Sequence, residues 1–91
     1  MKSKARQTLD KDRDYILWLY DSRCVYCGIK TNIIHEIVPI SHGNASLSSK
    51  NRVTLCENHH NWAHESTTHS IPILKQYRQE YLIRKFELDA L

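Results

Sequence analysis

The stretch LCENHHNWAH, Leu55 to His64, holds one cysteine and three of the chain's six histidines. Cys56 and His59 stand three apart, and His60 and His64 stand four apart. On a helix, residues at three- and four-residue spacing lie on one face, one above the other. Each pair can therefore clamp a cation, and the question is whether the four residues serve one ion or two.

The cysteines answer first. CVYCG (Cys24–Gly28) is a tight loop with a Cys24-x2-Cys27 pair. Together with Cys56 and His59 it makes a Cys3His set, which zinc takes as a tetrahedral site closed to substrate. Three cysteines cannot all pair within one chain, and in a reducing compartment they are more often metal ligands than disulfides. The alternative, three buried apolar cysteines, leaves the two separate pairs at ligand spacing as coincidence. Structural zinc on Cys24, Cys27, Cys56 and His59 is the expectation, with metal binding supplying much of the folding free energy.

That assignment leaves His60 and His64. Alone they read as two solvated histidines on a polar helix. The balance shifts at IIHEIVP, Ile33 to Pro39, where His35 interrupts an otherwise apolar run. A histidine there needs a partner. His35, His60 and His64 would place three imidazoles around one ion and leave positions open for water and substrate, which marks a catalytic site. The expectation is two sites sharing one short helix.

The rest of the chain sets the frame. Ninety-one residues, 41% apolar and 25% charged, suit one small globular domain spanning 1–91. So thin a core leans on metals or disulfides. No apolar run approaches a membrane span, and Met1-Lys2-Ser3-Lys4 opens no signal peptide, so an intracellular, cytoplasmic protein without membrane contact is expected. The net charge of +3 permits a nucleic-acid partner without demanding one.

Residues 1–7 read as a basic arm. A helix is predicted over 10–21, with Thr8 as cap and Asp10 and Asp12 in its first turn. Ile33–Val38 reads as a strand ended by Pro39, 41–51 as a polar loop, and Arg52–Leu55 as a second strand pairing back. A short helix follows over 57–65. The apolar residues from Ile73 to Leu88 recur at three- and four-residue steps, predicting an amphipathic helix over 71–90 with Pro72 in its first turn. Trp18, Tyr20, Tyr77, Tyr81 and Phe86 are expected in the core, and Trp62 is expected to pack inward. The fold class is α+β.

In order, CVYCG, HEIVPI, Asn51 in SKNRVTLC, and CENHHNWAH resemble the HNH endonuclease family, whose core is a ββα-metal fold with zinc knuckles. The match covers Cys24 to His64, the part of the chain that carries chemistry. The resemblance implies that His35, His60 and His64 bind the catalytic ion and that Asn51 ties down the loop and orients the general base. It puts Glu36 where the family usually has the general-base histidine. A glutamate, with an ordinary pKa near 4.3, is a weaker base than imidazole. Glu36 acts as base or aids the metal, His42 stands in, or catalysis is lost. Strand alternation would also turn His35 and Glu36 to opposite faces unless the strand ends or bulges there.

What the resemblance implies, then, is a metal-dependent DNA endonuclease or nickase leaving a 5′ phosphate, in a bacterial or phage-infected cell. The second possibility is an inactive, zinc-stabilised nucleic-acid-binding module. Three imidazoles favour Zn2+, Ni2+, Co2+ or Mn2+ over Mg2+, which wants oxygen ligands. DNA would be held through phosphates, with Arg23, Lys50 and Arg52 as candidate contacts, joined by Lys30 and by Lys2, Lys4 and Arg6 of the arm. Nothing resembles a sequence-reading element, so specificity is low or comes from a partner protein. Either a monomer or a homodimer is compatible with the chain.

Overall fold

The computed structural model describes residues 13–39 and 49–90, with side chains through residue 87. The basic arm, the predicted helix start at 10–12, most of the polar loop and His42 lie outside these residues. Among the described residues the chain forms three helices and one two-stranded antiparallel sheet, an α+β arrangement. Helix α1 covers residues 13–19. Strands β1 (Ile34–Glu36) and β2 (Arg52–Thr54) follow, the latter after a 3-10 turn at Ser49–Asn51. Helices α2 (Glu57–Glu65) and α3 (Thr67–Ala90) complete the chain. No helix among the described residues is long and apolar enough to cross a membrane.

Helix α1 stops earlier than predicted. Asp21 and Ser22 take left-handed backbone angles, φ 57° and 51°, which no helix can continue through. Lys85 of α3 closes the end: its ammonium donates to the carbonyls of Trp18 and Leu19 and pairs with Asp21. Tyr81 donates its hydroxyl to the Tyr20 carbonyl and to the Asp21 carboxylate. The last carbonyls of a helix lack partners within it, so a cation there is doubly favourable.

The strands are shorter than predicted for a specific reason. β1 pairs with β2 in the register Ile34↔Thr54, His35↔Val53, Glu36↔Arg52. Beyond Glu36 the ladder gives way to Asn51. The Ile37 N–H donates to the Asn51 carbonyl, and the Asn51 side chain bonds the Val38 N–H and C=O, each at 2.9 Å. A side-chain amide thus replaces the strand's next rung.

Helix α3 begins at Thr67, earlier than predicted, and carries Pro72 inside it. A single residue, Ser66, separates it from α2. Ser70 is buried and donates to the Thr67 carbonyl and back to Ala63 of α2, at 2.9 and 3.4 Å, which ties the two helices together.

The core is small: Ile16 and Leu19 of α1, Tyr20 just after it, Val25, Ile37, Val53, Leu55, Ala63 and Leu74, with two cysteines at its margin. Tyr20 is fully buried, and Tyr77, Tyr81 and Trp62 pack against the cluster as predicted. Trp18 and Phe86 do not. They are 60% and 48% exposed, a correction to the helical-spacing argument. Lys85 occupies the inner face of Trp18, 4.7 Å from its ring centroid, so the indole covers a cation and not the core.

Candidate metal centres

The knuckle loop grows from the end of α1. Gly28 adopts φ 82°, and its N–H returns to the Cys24 carbonyl at 2.8 Å. The Cys24 N–H bonds Ile29, and Arg23 and Lys30 form an antiparallel bridge, so Cys24 and Cys27 face the same space. Cys56 is the N-cap of α2 and His59 lies in its first turn. The four donor atoms all lie within 4.8 Å of one another. Cys27 Sγ is 3.7 Å from Cys56 Sγ, and His59 Nδ1 is 3.7 Å from Cys24 Sγ and 3.1 Å from Cys56 Sγ. A tetrahedral zinc ion spaces such donors roughly 3.6–3.8 Å apart. The cluster is compatible with a structural metal site.

Ionisation suits it. Burial opposes charge on Cys24, but backbone hydrogen bonds at Cys56, Cys27 and Tyr26 outweigh it and hold the thiol below its ordinary value. Cys27 accepts a backbone hydrogen bond at Ile29, yet burial and the adjoining sulfurs of Cys24 and Cys56 leave it raised. Neighbouring thiols that resist simultaneous ionisation gain by sharing a cation.

The second cluster unites β1 and α2. His35, 5% exposed, projects from the strand; His60 and His64 project from the helix face. Their donor nitrogens also lie within 4.8 Å of one another. His60 Nε2 and His64 Nε2 are 3.0 Å apart, and the His35 ring centroid is 5.3 and 5.2 Å from theirs. An ion ~2.1 Å from both Nε2 atoms would see them about 90° apart, the angle between adjacent corners of an octahedron. Burial, with His60 and His64 alongside, pushes His35 down to about 4. Burial and His64 lower His60 as well. Neutral rings keep their lone pairs for a metal at neutral pH.

The cluster opens into a cleft of about 320 Å³ lined by Ile34, His35, Glu36, Pro39, His60, His64 and Thr67. Glu36, the last residue of β1, lines the same cleft as His35. It is not one of the three clustered donors. Asn51, 7% exposed, clamps Val38 and so fixes the chain leaving the site.

Arg23 and Lys50 are exposed, whereas Arg52 is 3% exposed. Arg52, paired with Glu36 across the sheet, is therefore corrected from a surface phosphate contact to a buried side chain. Two participants escaped the sequence reading. Thr67 lines the cleft through the early start of α3. Tyr26 stacks on His59, and its position between Cys24 and Cys27 was the available signal. Comparison with models of known families, with curated proteins and with solved structures finds no match to the chain.

Proposed function

We propose that this chain is a metal-dependent DNA endonuclease or nickase of the HNH type, hydrolysing phosphodiester bonds with little sequence preference of its own. The observation that carries the reading is a cluster of three histidines at an open cleft, one from β1 and two from α2, the helix whose first turn also carries His59 of a separate Cys3His cluster. A purely structural domain needs no second donor set facing solvent.

His35, His60 and His64 would hold the ion. When bound, it would supply positive charge to a pentavalent phosphorus and a leaving 3′ oxygen. Glu36, on the cleft wall, would take a proton from the attacking water. Asn51 holds the Ile37–Val38 segment in place and so limits the positions open to Glu36. Donors that are all nitrogen favour Zn2+, Ni2+, Co2+ or Mn2+ over Mg2+. Cys24, Cys27, Cys56 and His59 would carry structural zinc and take no part in chemistry.

The test is nicking of supercoiled plasmid by the zinc-loaded chain with Ni2+, Mn2+ or Mg2+ added in turn. The expected result is cutting with the borderline ions that disappears in His60→Ala. Cutting that persists undiminished in that variant would reject the site. The second reading, a zinc-stabilised nucleic-acid-binding module without turnover, draws on Glu36 standing outside the donor cluster. DNA retention with no cutting under any ion would favour it.

A further inference from the structure

A second cleft, of about 370 Å³, is lined by residues 29–33 on one side and Cys56, Glu57 and Asn58 on the other. The imidazole cleft continues along the same two elements: Ile34, His35 and Glu36 follow Ile33, and His60 and His64 follow Asn58. Both clefts therefore lie along the same two elements, β1 with its lead-in and α2, and the groove between those elements holds both.

Cations gather at the outer end. Arg23 and Lys30 stand directly opposite each other in an antiparallel bridge, and both are exposed. Like charges so placed destabilise a pair. Neither makes an ion pair among the described residues, because Asp21, the acid that feels Arg23, is engaged by Lys85 and Tyr81. Arg13 adds a third cation, donating at 2.7 Å to the carbonyl of Asn32, which lines the same cleft. Three cations that form no ion pair among the described residues, at one end of a groove, fit a polyanion.

We infer that this groove seats one nucleic-acid strand, with Arg13, Arg23 and Lys30 binding its phosphates a few nucleotides from the three-imidazole cluster. This rests on the phosphodiester reading above and adds its binding path. From Lys30 to His35 is five residues of chain, a reach of at most about 17 Å. At 3.4 Å per nucleotide along one strand, the cations contact phosphates within about five nucleotides of the one at the imidazoles. Glu57, exposed on the opposite wall, works against the strand and weakens it.

The experiment is fluorescence anisotropy of the zinc-loaded full chain with a labelled oligonucleotide of about 20 nucleotides, single-stranded and duplex, across a salt series without added divalent ion. Lys30→Gln is the clean variant, since Lys30 makes no side-chain hydrogen bond among the described residues, whereas Arg23 also braces Gly28. Lys30→Gln should reduce the salt slope by about 0.9 on duplex or 0.7 on single strand. Affinity at low salt should fall about threefold or more. Glu57→Gln should tighten binding, and Lys75→Gln, an exposed charge on α3, should change neither quantity. Equal effects of Lys30→Gln and Lys75→Gln would overturn the groove, as would absence of DNA binding or a Lys30-dependent preference for polyglutamate. Failure of the two readings separates cleanly. A chain that cuts plasmid with an unchanged Lys30 slope loses only the groove, and one that binds through Lys30 but never cuts loses only the nuclease.

Discussion

Tyr26 stacks on His59 with ring centroids 4.1 Å apart, and it also stacks on Tyr77 of α3, 4.6 Å away. The knuckle loop, the first turn of α2 and the long C-terminal helix thus meet in one column of rings. Because His59 belongs to the Cys3His cluster, the docking of α3 is tied to that cluster.

Tyr26→Ala should therefore cost stability without touching a ligand. Two stacked contacts are worth about 0.5–1.5 kcal/mol each beyond area burial, and each kcal/mol moves the Tm of so small a domain by about 4–8 °C. Thermal melts at matched zinc content give the number. Cys24→Ser, or strong chelation, should instead abolish the cooperative transition, because the core alone is too small. A sharp unfolding transition in the stripped protein would refute the structural role of that cluster.

His35 gives a pH signature. Its folded value is about 4, below the ordinary 6.5. The unfolded chain therefore takes up a proton first as the pH falls. Stability is unaffected above about 6.5 and is lost progressively between about 6.5 and 4, by roughly 3 kcal/mol at most. Denaturant unfolding of wild type and His35→Gln at several pH values, without the second ion, isolates the contribution. Parallel pH profiles would count against a buried neutral His35.

Lys85→Met removes two carbonyl partners of α1, the Asp21 pair and the cation over Trp18, while keeping the aliphatic stem. The loss should be about 1–2 kcal/mol. Urea midpoints decide it, with Asp21→Asn as the comparison that removes the carboxylate charge facing Lys85 and Tyr81 but leaves the carbonyl bonds and the cation over Trp18.

Glu36→Gln should lower plasmid cutting by about 10²–10⁴ if its carboxylate is the general base. Metal content and melting temperature should stay as in wild type, since Glu36 is not among the clustered donors. Unchanged cutting would transfer the base to another group.

Asn51→Ala should cost more than its size suggests. The side chain bonds both the N–H and the C=O of Val38. Stranding a buried polar group costs about 1–3 kcal/mol. Amide exchange at Val38, accelerated relative to Val53, would locate the damage.

The ligand pairs were legible because they are local. Cys24 with Cys27, Cys56 with His59, and His60 with His64 are each brought together by a turn or by helical periodicity, which spacing alone encodes. The helix at 57–65 and the antiparallel strands followed from composition and turn residues. Element ends were less legible, since they depend on distant partners: Asn51 stops β1, and Lys85 closes α1.

By itself, then, the sequence determined the local pairs Cys24 with Cys27, Cys56 with His59 and His60 with His64, an α+β chain and the helix that carries His59, His60 and His64. Only the tertiary structure decided that His35 meets His60 and His64, that Arg52 turns inside while Trp18 and Phe86 stay out, and that two clefts lie beside α2. The physical reason is that spacing specifies neighbours within an element. Which side chains share a cavity depends on strand register and helix docking, and those are settled by the packing of the whole core.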